Sequence, residues 1–218
     1  MPNIYPTIDR NLNKVGTAWS DGDAGNDASA VNNNAETSIL AIDLSAYNSV
    51  QFKRHAVEFD TEDITVAPTS ATLKIYGRWL TTADVICAKA TFATAGAIVV
   101  GDFDSWSPGS PTAYTDELET WVSGSYNNLT LTSTALSDMA SLDQIQMMCM
   151  EADNDYDRTS AGSGTALTSG MYATPQDGTG TDKDPYIDYT AGAAAEEFTS
   201  LKVLSGNLTV KGGTLTIK

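Results

Sequence analysis

The 218-residue chain has a single histidine, His55, and only two cysteines, Cys87 and Cys149. One imidazole excludes multi-histidine metal centres and most metallohydrolase designs. The cysteines lie far apart with no CxxC spacing, so they do not form a zinc-ligand pattern. Both sit in apolar, strand-like runs and read as buried thiols, with one disulfide as the alternative. Basic residues are scarce, 12 Lys and Arg against 28 Asp and Glu, for a net charge of −16. Such a field repels phosphates and anionic membranes, so nucleic acid is not an expected partner. No apolar run approaches the roughly 18 residues of a membrane span, and no membrane insertion is expected. The opening MPNIYPTIDR lacks the basic and apolar regions of a secretory signal. Helical periodicity is also nearly absent, which excludes bundles and coiled coils.

What is present is alternation at period two, the mark of half-buried strands. It runs through residues 38–44, 50–59, 71–80, 84–92, 97–100, 128–132, 143–151 and 185–190. In LKIYGRWL, Leu73, Ile75 and Trp79 share one face and Lys74, Tyr76 and Arg78 the other. QIQMMCM is apolar on both faces and reads as a central strand. The expected core is Phe52, Val57, Phe59, Leu73, Ile75, Leu131, Ile145, Met147 and Ile187, with Trp79 and Trp121 packed as well. One helix is expected over 114–123, where Leu118, Trp121 and Val122 follow Pro111 with acids in the first turn. Long polar connections over 21–34, 105–113 and 154–181 are of the kind that carry sites. These features predict an all-β, jelly-roll β-sandwich over residues 1–191.

The segment HAVEFDTEDITVAPTSATLKIYG, residues 55–77, resembles the core of DNRLRE-type β-sandwich domains, with Phe59, Asp60, Ile64, Ser70, Ala71, Thr72, Leu73 and Tyr76 fitting the pattern. GDFDSWS at 101–107, YNNLTLTSTAL at 126–136 and DKDPYIDYT at 182–190 extend the likeness. The name-giving hexapeptide is absent, and His55-Ala56 stands where an Arg-Gly pair often precedes the apolar residue. The resemblance implies a non-catalytic jelly roll related to carbohydrate-binding modules, as found on secreted enzymes, cell-surface proteins and phage particles.

Residues 192–200 read as a linker, and LKVLSGNLTVKGGTLTIK, residues 201–218, as a β-repeat assembly tail. Leu201, Val203, Leu208, Val210, Leu215 and Ile217 recur with a period of seven, separated by turns bearing Gly206 and Gly213. Strands of three residues bury too little apolar area to offset an ordering cost of roughly 1–2 kcal/mol per residue, so the tail needs a partner surface. Lys202, Lys211 and Lys218 give it +3, leaving −19 on the rest of the chain. Short strands from other copies of the same chain, with a trimer preferred, or from a neighbouring virion protein would complete its sheets, and the charge asymmetry suits docking on an acidic surface such as another copy's body.

Two acidic clusters are candidate structural Ca2+ ligands, because Ca2+ takes six to eight oxygens from such loops. They are Asp21, Asp23 and Asp27 in SDGDAGND, and Asp153, Asp155 and Asp157 in EADNDYD. Solvated turns are the plainer reading of both. Trp19, Trp106 and Tyr114 fall in loop-like segments and are the candidate glycan-stacking aromatics, with packing beneath a loop as the plainer reading of each. His55 follows the alternation of Val57 and Phe59 and reads as a packed strand residue; no catalytic residue is assigned and no enzyme is expected. The expected function is a non-enzymatic virion structural protein, namely a phage capsid decoration, head-fibre or tail-fibre component. It would be exposed on the virion surface and be extracellular after lysis, with host-surface glycans as possible ligands. The alternative is a carbohydrate-binding module of a secreted or cell-surface protein.

Overall fold

A computed structural model describes residues 2–18, 28–32, 36–44, 49–78, 83–160, 162, 164–172 and 183–193. Its strands are β1 (Asn3–Ile4), β2 (Pro6–Gly16), β3 (Ala30–Asn32), β4 (Glu36–Leu44), β5 (Ser49–Asp60), β6 (Ser70–Tyr76), β7 (Val85–Lys89), β8 (Tyr126–Thr130), β9 (Gln144–Glu151), β10 (Thr165–Tyr172) and β11 (Tyr186–Thr190). All pairings are antiparallel and make two sheets. The smaller runs β1-β11-β6-β8, and the larger runs β10-β4-β5-β2-β3, with β9 on β5 and β7 on β9. The twelve residues of β5 hold this sheet together. One of its edges pairs with β2 along most of its length; the other pairs with β4 through Ser49–Lys53 and with β9 through His55–Asp60.

Residues 113–118 run beside β7, bridged at Ala88↔Ala113 and Val85↔Leu118. Count β1, β5, β6, β7, this segment, β8, β9 and β11 as elements one to eight. The small sheet then holds the first, eighth, third and sixth, and the large sheet holds the second, seventh, fourth and fifth. This is jelly-roll order, in which the first element pairs with the eighth, the second with the seventh, the third with the sixth and the fourth with the fifth. β2, β3, β4 and β10 extend the large sheet beyond it.

Between the sheets lie all the expected core residues except Phe52, which is buried on the outer face of the large sheet instead. Trp121 is buried between the sheets too, while Trp79 lies outside the described residues. His55 is fully buried on β5, at an odd-numbered position like Val57 and Phe59.

Several expectations are corrected. Residues 114–123 are not helical, because their backbone satisfies the open edge of β7: Tyr114 N and Thr115 N donate to Cys87 O, and Leu118 and Val85 exchange a pair of hydrogen bonds. The helix is instead α1 (Ser133–Ser141), capped by Thr132 Oγ1 and seating Ala135 and Met139 in the core. Residues 97–100 form only a bridge to Thr94 and the start of a short 3-10 turn. The cysteines are not free: Cys87 and Cys149 are direct cross-strand partners on β7 and β9 and are joined in a buried disulfide. The backbone groups of Cys87 bond toward 114–115, so its position opposite Cys149 is a non-hydrogen-bonded pair, the closer of the two antiparallel pair types. Their Cα atoms stand 4.0 Å apart.

Candidate functional site

The large sheet has a second covered face. Even-numbered residues of β5 point away from the inter-sheet core, and Phe52 and Ala56 there meet Ile8, Leu12, Phe92, Ile98, Phe103, Trp106, Met148 and Met150. Much of this cover is irregular chain over 92–106, whose backbone groups need partners that a sheet ladder would otherwise supply. Two charged residues on the same face of β5, Arg54 and Glu58, provide them, and both are buried.

Arg54 donates from Nε and Nη2 to the two oxygens of Asp155, at 2.9 and 2.7 Å, a bidentate pair. Its Nη1 donates to Phe103 O at 2.6 Å and to Asp104 Oδ1 at 3.0 Å. The guanidinium carbon lies 3.8 Å from the Phe103 ring centroid and 5.1 Å from that of Trp106. Burial works against the Arg54 charge, but Asp155 and Asp104 outweigh it and raise its pKa. Glu58 accepts from Gly96 N at 3.1 Å, from Gln146 Nε2 at 2.6 Å and from Thr7 Oγ1 at 3.2 Å. Asp102, also buried, accepts from Ala93 N and Val99 N, both at 2.8 Å. The loops are therefore fastened by charge-assisted hydrogen bonds over a thin apolar layer.

The chain after β9 completes the arrangement. Residues Ala152–Tyr156 form one π-helical turn. Its N-cap Glu151 accepts from Asn154 N and Asp155 N, and burial, only partly offset by these bonds, raises the Glu151 pKa. The turn separates the three predicted Ca2+ ligands. Asp155 points inward to Arg54, Asp157 is exposed, and Asp153 joins Asp84 and Glu117. One carboxylate oxygen from each of Asp84, Glu117 and Asp153 lies within 4.8 Å of the others, a set that offers oxygen ligands to a cation. Asp84 and Glu117 have raised pKa values, first from partial burial and then from repulsion by the surrounding acids. Asp84 and Glu117 are far from Asp153 in sequence, so the spacing within EADNDYD gives no sign of them. Asp21, Asp23 and Asp27 lie outside the described residues.

The aromatic candidates are packed inside. Trp106 is 1% exposed and stacks on Tyr156 with centroids 5.8 Å apart. Tyr114 is 1% exposed in the inter-sheet core and donates its hydroxyl to Asp138, which also takes a 2.7 Å bond from Lys89 Nζ. Neither presents a ring face for a sugar to stack on. This corrects both as stacking platforms: Trp106 is packed beneath the covering loops, the plainer expectation, and Tyr114 is packed between the two sheets. Trp19 and the tail residues Leu201, Val203, Leu208, Val210, Leu215 and Ile217 lie outside the described residues.

Trp106 instead contributes to the wall of a pocket of about 110 Å3, together with Lys89 and five hydroxyl residues, Thr91, Ser105, Ser107, Ser110 and Thr112. The turn beside it is closed by bonds from Ser107 N to Asp104 O and from Ser110 N to Ser107 O. Arg158 donates to Pro108 O at 2.9 Å and ties the turn to the end of the π-helical segment. Among the described residues no helix is long and apolar enough to cross a membrane. No family model matches the sequence, and the search of curated proteins finds no match.

Proposed function

We propose that the protein is a non-enzymatic structural component of a virus particle, a phage capsid decoration, head-fibre or tail-fibre protein, with its jelly roll displayed on the virion surface. The observation that carries this reading is a division of labour along one chain. An acidic sandwich with loops stapled by buried charge is followed in the sequence by an 18-residue repeat of opposite charge, whose three-residue apolar units are too short to bury an apolar face alone. The cross-strand disulfide supports a working environment outside the reducing cytosol, where virion surfaces and secreted proteins both belong. The resemblance of residues 55–77 to DNRLRE-type domains supports the same setting. Light scattering on the full chain should give a trimer mass, falling to a monomer when residues 198–218 are deleted; an unchanged mass removes the assembly role.

A second reading, a carbohydrate-binding module of a secreted or cell-surface protein, is favoured by the hydroxyl-lined pocket beside Trp106. Tight binding on a glycan array by a chain that remains monomeric would replace the first reading with this one.

A further inference from the structure

The pocket beside Trp106 has a lining at odds with the rest of the molecule. On a chain with 28 acidic residues and a net charge of −16, its seven wall residues include no carboxylate. They include one ammonium, one indole N–H and five hydroxyls. Indole and ammonium only donate, and each hydroxyl has a proton to give, so every wall side chain is able to donate to a single acceptor-rich guest.

Two of these donors are left over by the fold. Trp106 Nε1 and Ser105 Oγ are buried and have no hydrogen-bond partner within the protein, and such buried polar groups call for an explanation. The Trp106 ring stacks on Tyr156 and lies beneath Arg54, so its face is already covered, while Nε1 is left without a partner. Lys89 Nζ uses one of its three protons on Asp138. Of the carboxylates in this neighbourhood, Asp138 is paired with Lys89 and Asp104 with Arg54 through Oδ1, while Asp104 Oδ2 is buried without a hydrogen-bond partner. Ser107 is held at φ 58°, a left-handed conformation that non-glycine residues seldom adopt and that often marks a functional turn. The volume of about 110 Å3 corresponds to a few water molecules, which suits a sulfate or carboxylate group.

We propose that this pocket is an oxyanion site, which takes the sulfate or carboxylate group of an acidic ligand on the N–H of Trp106, the hydroxyl of Ser105 and the ammonium of Lys89. The proposal does not depend on the particle assignment, because it rests on the pocket alone. It differs from aromatic stacking of a neutral sugar, since the aromatic ring face is already covered.

The test is a two-dimensional NMR titration that follows the tryptophan indole N–H signals of the full chain. Sodium sulfate is compared with sodium chloride at equal ionic strength. Trp106 is assigned through Trp106→Phe or, should that variant not fold, through nuclear Overhauser contacts to the Tyr156 ring. Sulfate should shift the Trp106 indole signal in a saturable way that chloride does not reproduce. Ser105→Ala and Lys89→Met, checked for folding by circular dichroism, should each weaken the apparent affinity tenfold or more. A parallel arm with a sulfated disaccharide separates the sources of the group: tenfold tighter binding than inorganic sulfate identifies an acidic glycan, and equal binding identifies a free anion. No saturable shift with either probe, or an equal shift from chloride or from neutral maltose, would overturn the proposal.

Discussion

On one face of β5, Val57 and Phe59 meet Leu73, Ile75, Ile145 and Ile187 between the sheets. On the other face, Phe52 and Ala56 alternate with Arg54 and Glu58 beneath a cover of loops. The first layer is bounded by regular strands, so its backbone groups are satisfied by ladders and its side chains are free to be apolar. The second is bounded by irregular chain, so it has to contain charge. Apolar area alone does not hold a loop over a sheet; the loop's carbonyls and amides must be met by something that reaches them, and here that is done by a guanidinium and carboxylates.

The largest expected effect breaks the outer layer at its centre. Arg54→Ala leaves Asp155 and Asp104 without their buried cation and should cost about 3–5 kcal/mol in chemical denaturation. A loss below about 1 kcal/mol would mean that the loops hold without it. The matching test on the inner layer is removal of the disulfide. Cys87→Ala with Cys149→Ala should cost about 2–4 kcal/mol, mainly by freeing the unfolded chain, with the inner packing otherwise kept.

Acid should also act from the inner side. His55 is buried and its pKa is pushed down to about 3 by desolvation, even though Asp9 Oδ2 lies 4.0 Å from Nε2. A folded pKa below the ordinary 6.5 means that the unfolded chain binds the extra proton. The His55 contribution is therefore intact above about pH 6.5 and is lost as pH falls toward 3, amounting to about 3 kcal/mol by pH 4. His55→Gln should flatten that part of the stability profile; an unchanged profile would assign the acid sensitivity elsewhere.

The smallest effect belongs to the acidic rim of the outer layer. Asp84 and Glu117 have raised pKa values, so their mutual repulsion with Asp153 is felt at neutral pH and fades as pH falls through those values. In calcium-free buffer Asp153→Asn should stabilise the fold by about 0.5 kcal/mol at pH 7, with the gain shrinking toward pH 4. An equal gain at both values would place its cause outside the carboxylate set.

The two layers also differ in how far they were legible from residue order. The inner strands alternate at period two, and this is why Val57, Phe59, Leu73, Ile75, Ile145 and Met147 stand out and are buried. β2 does not stand out. Its Ile8, Leu12 and Val15 are spaced like a helix, while Asp9, Asn11 and Lys14 are buried polar residues, with Asn11 bonded to Ser38 O and Arg54 O. The helix over 114–123 fails because its apolar spacing is equally compatible with chain laid along an open strand edge, and the vacant ladder of β7 decides the outcome. The cap at Thr132 was the available sign of α1. Arg54 carries no local signature at all. Its partners Asp104 and Asp155 are 50 and 101 positions away, and only the folded chain brings them together. For the same reason, the paired cysteines and the Asp84–Glu117–Asp153 set become visible only once β7, β9 and the chain beside them are in register.

The central claim, that the outer layer is fastened by buried charge while the inner one is not, is tested most directly by hydrogen exchange on the native chain and on Arg54→Met. The account predicts that peptides over 92–107 and 152–158 lose protection in the variant while those over 71–76 and 127–131 keep theirs. Equal loss in both sets, or no loss at 92–107, would contradict it.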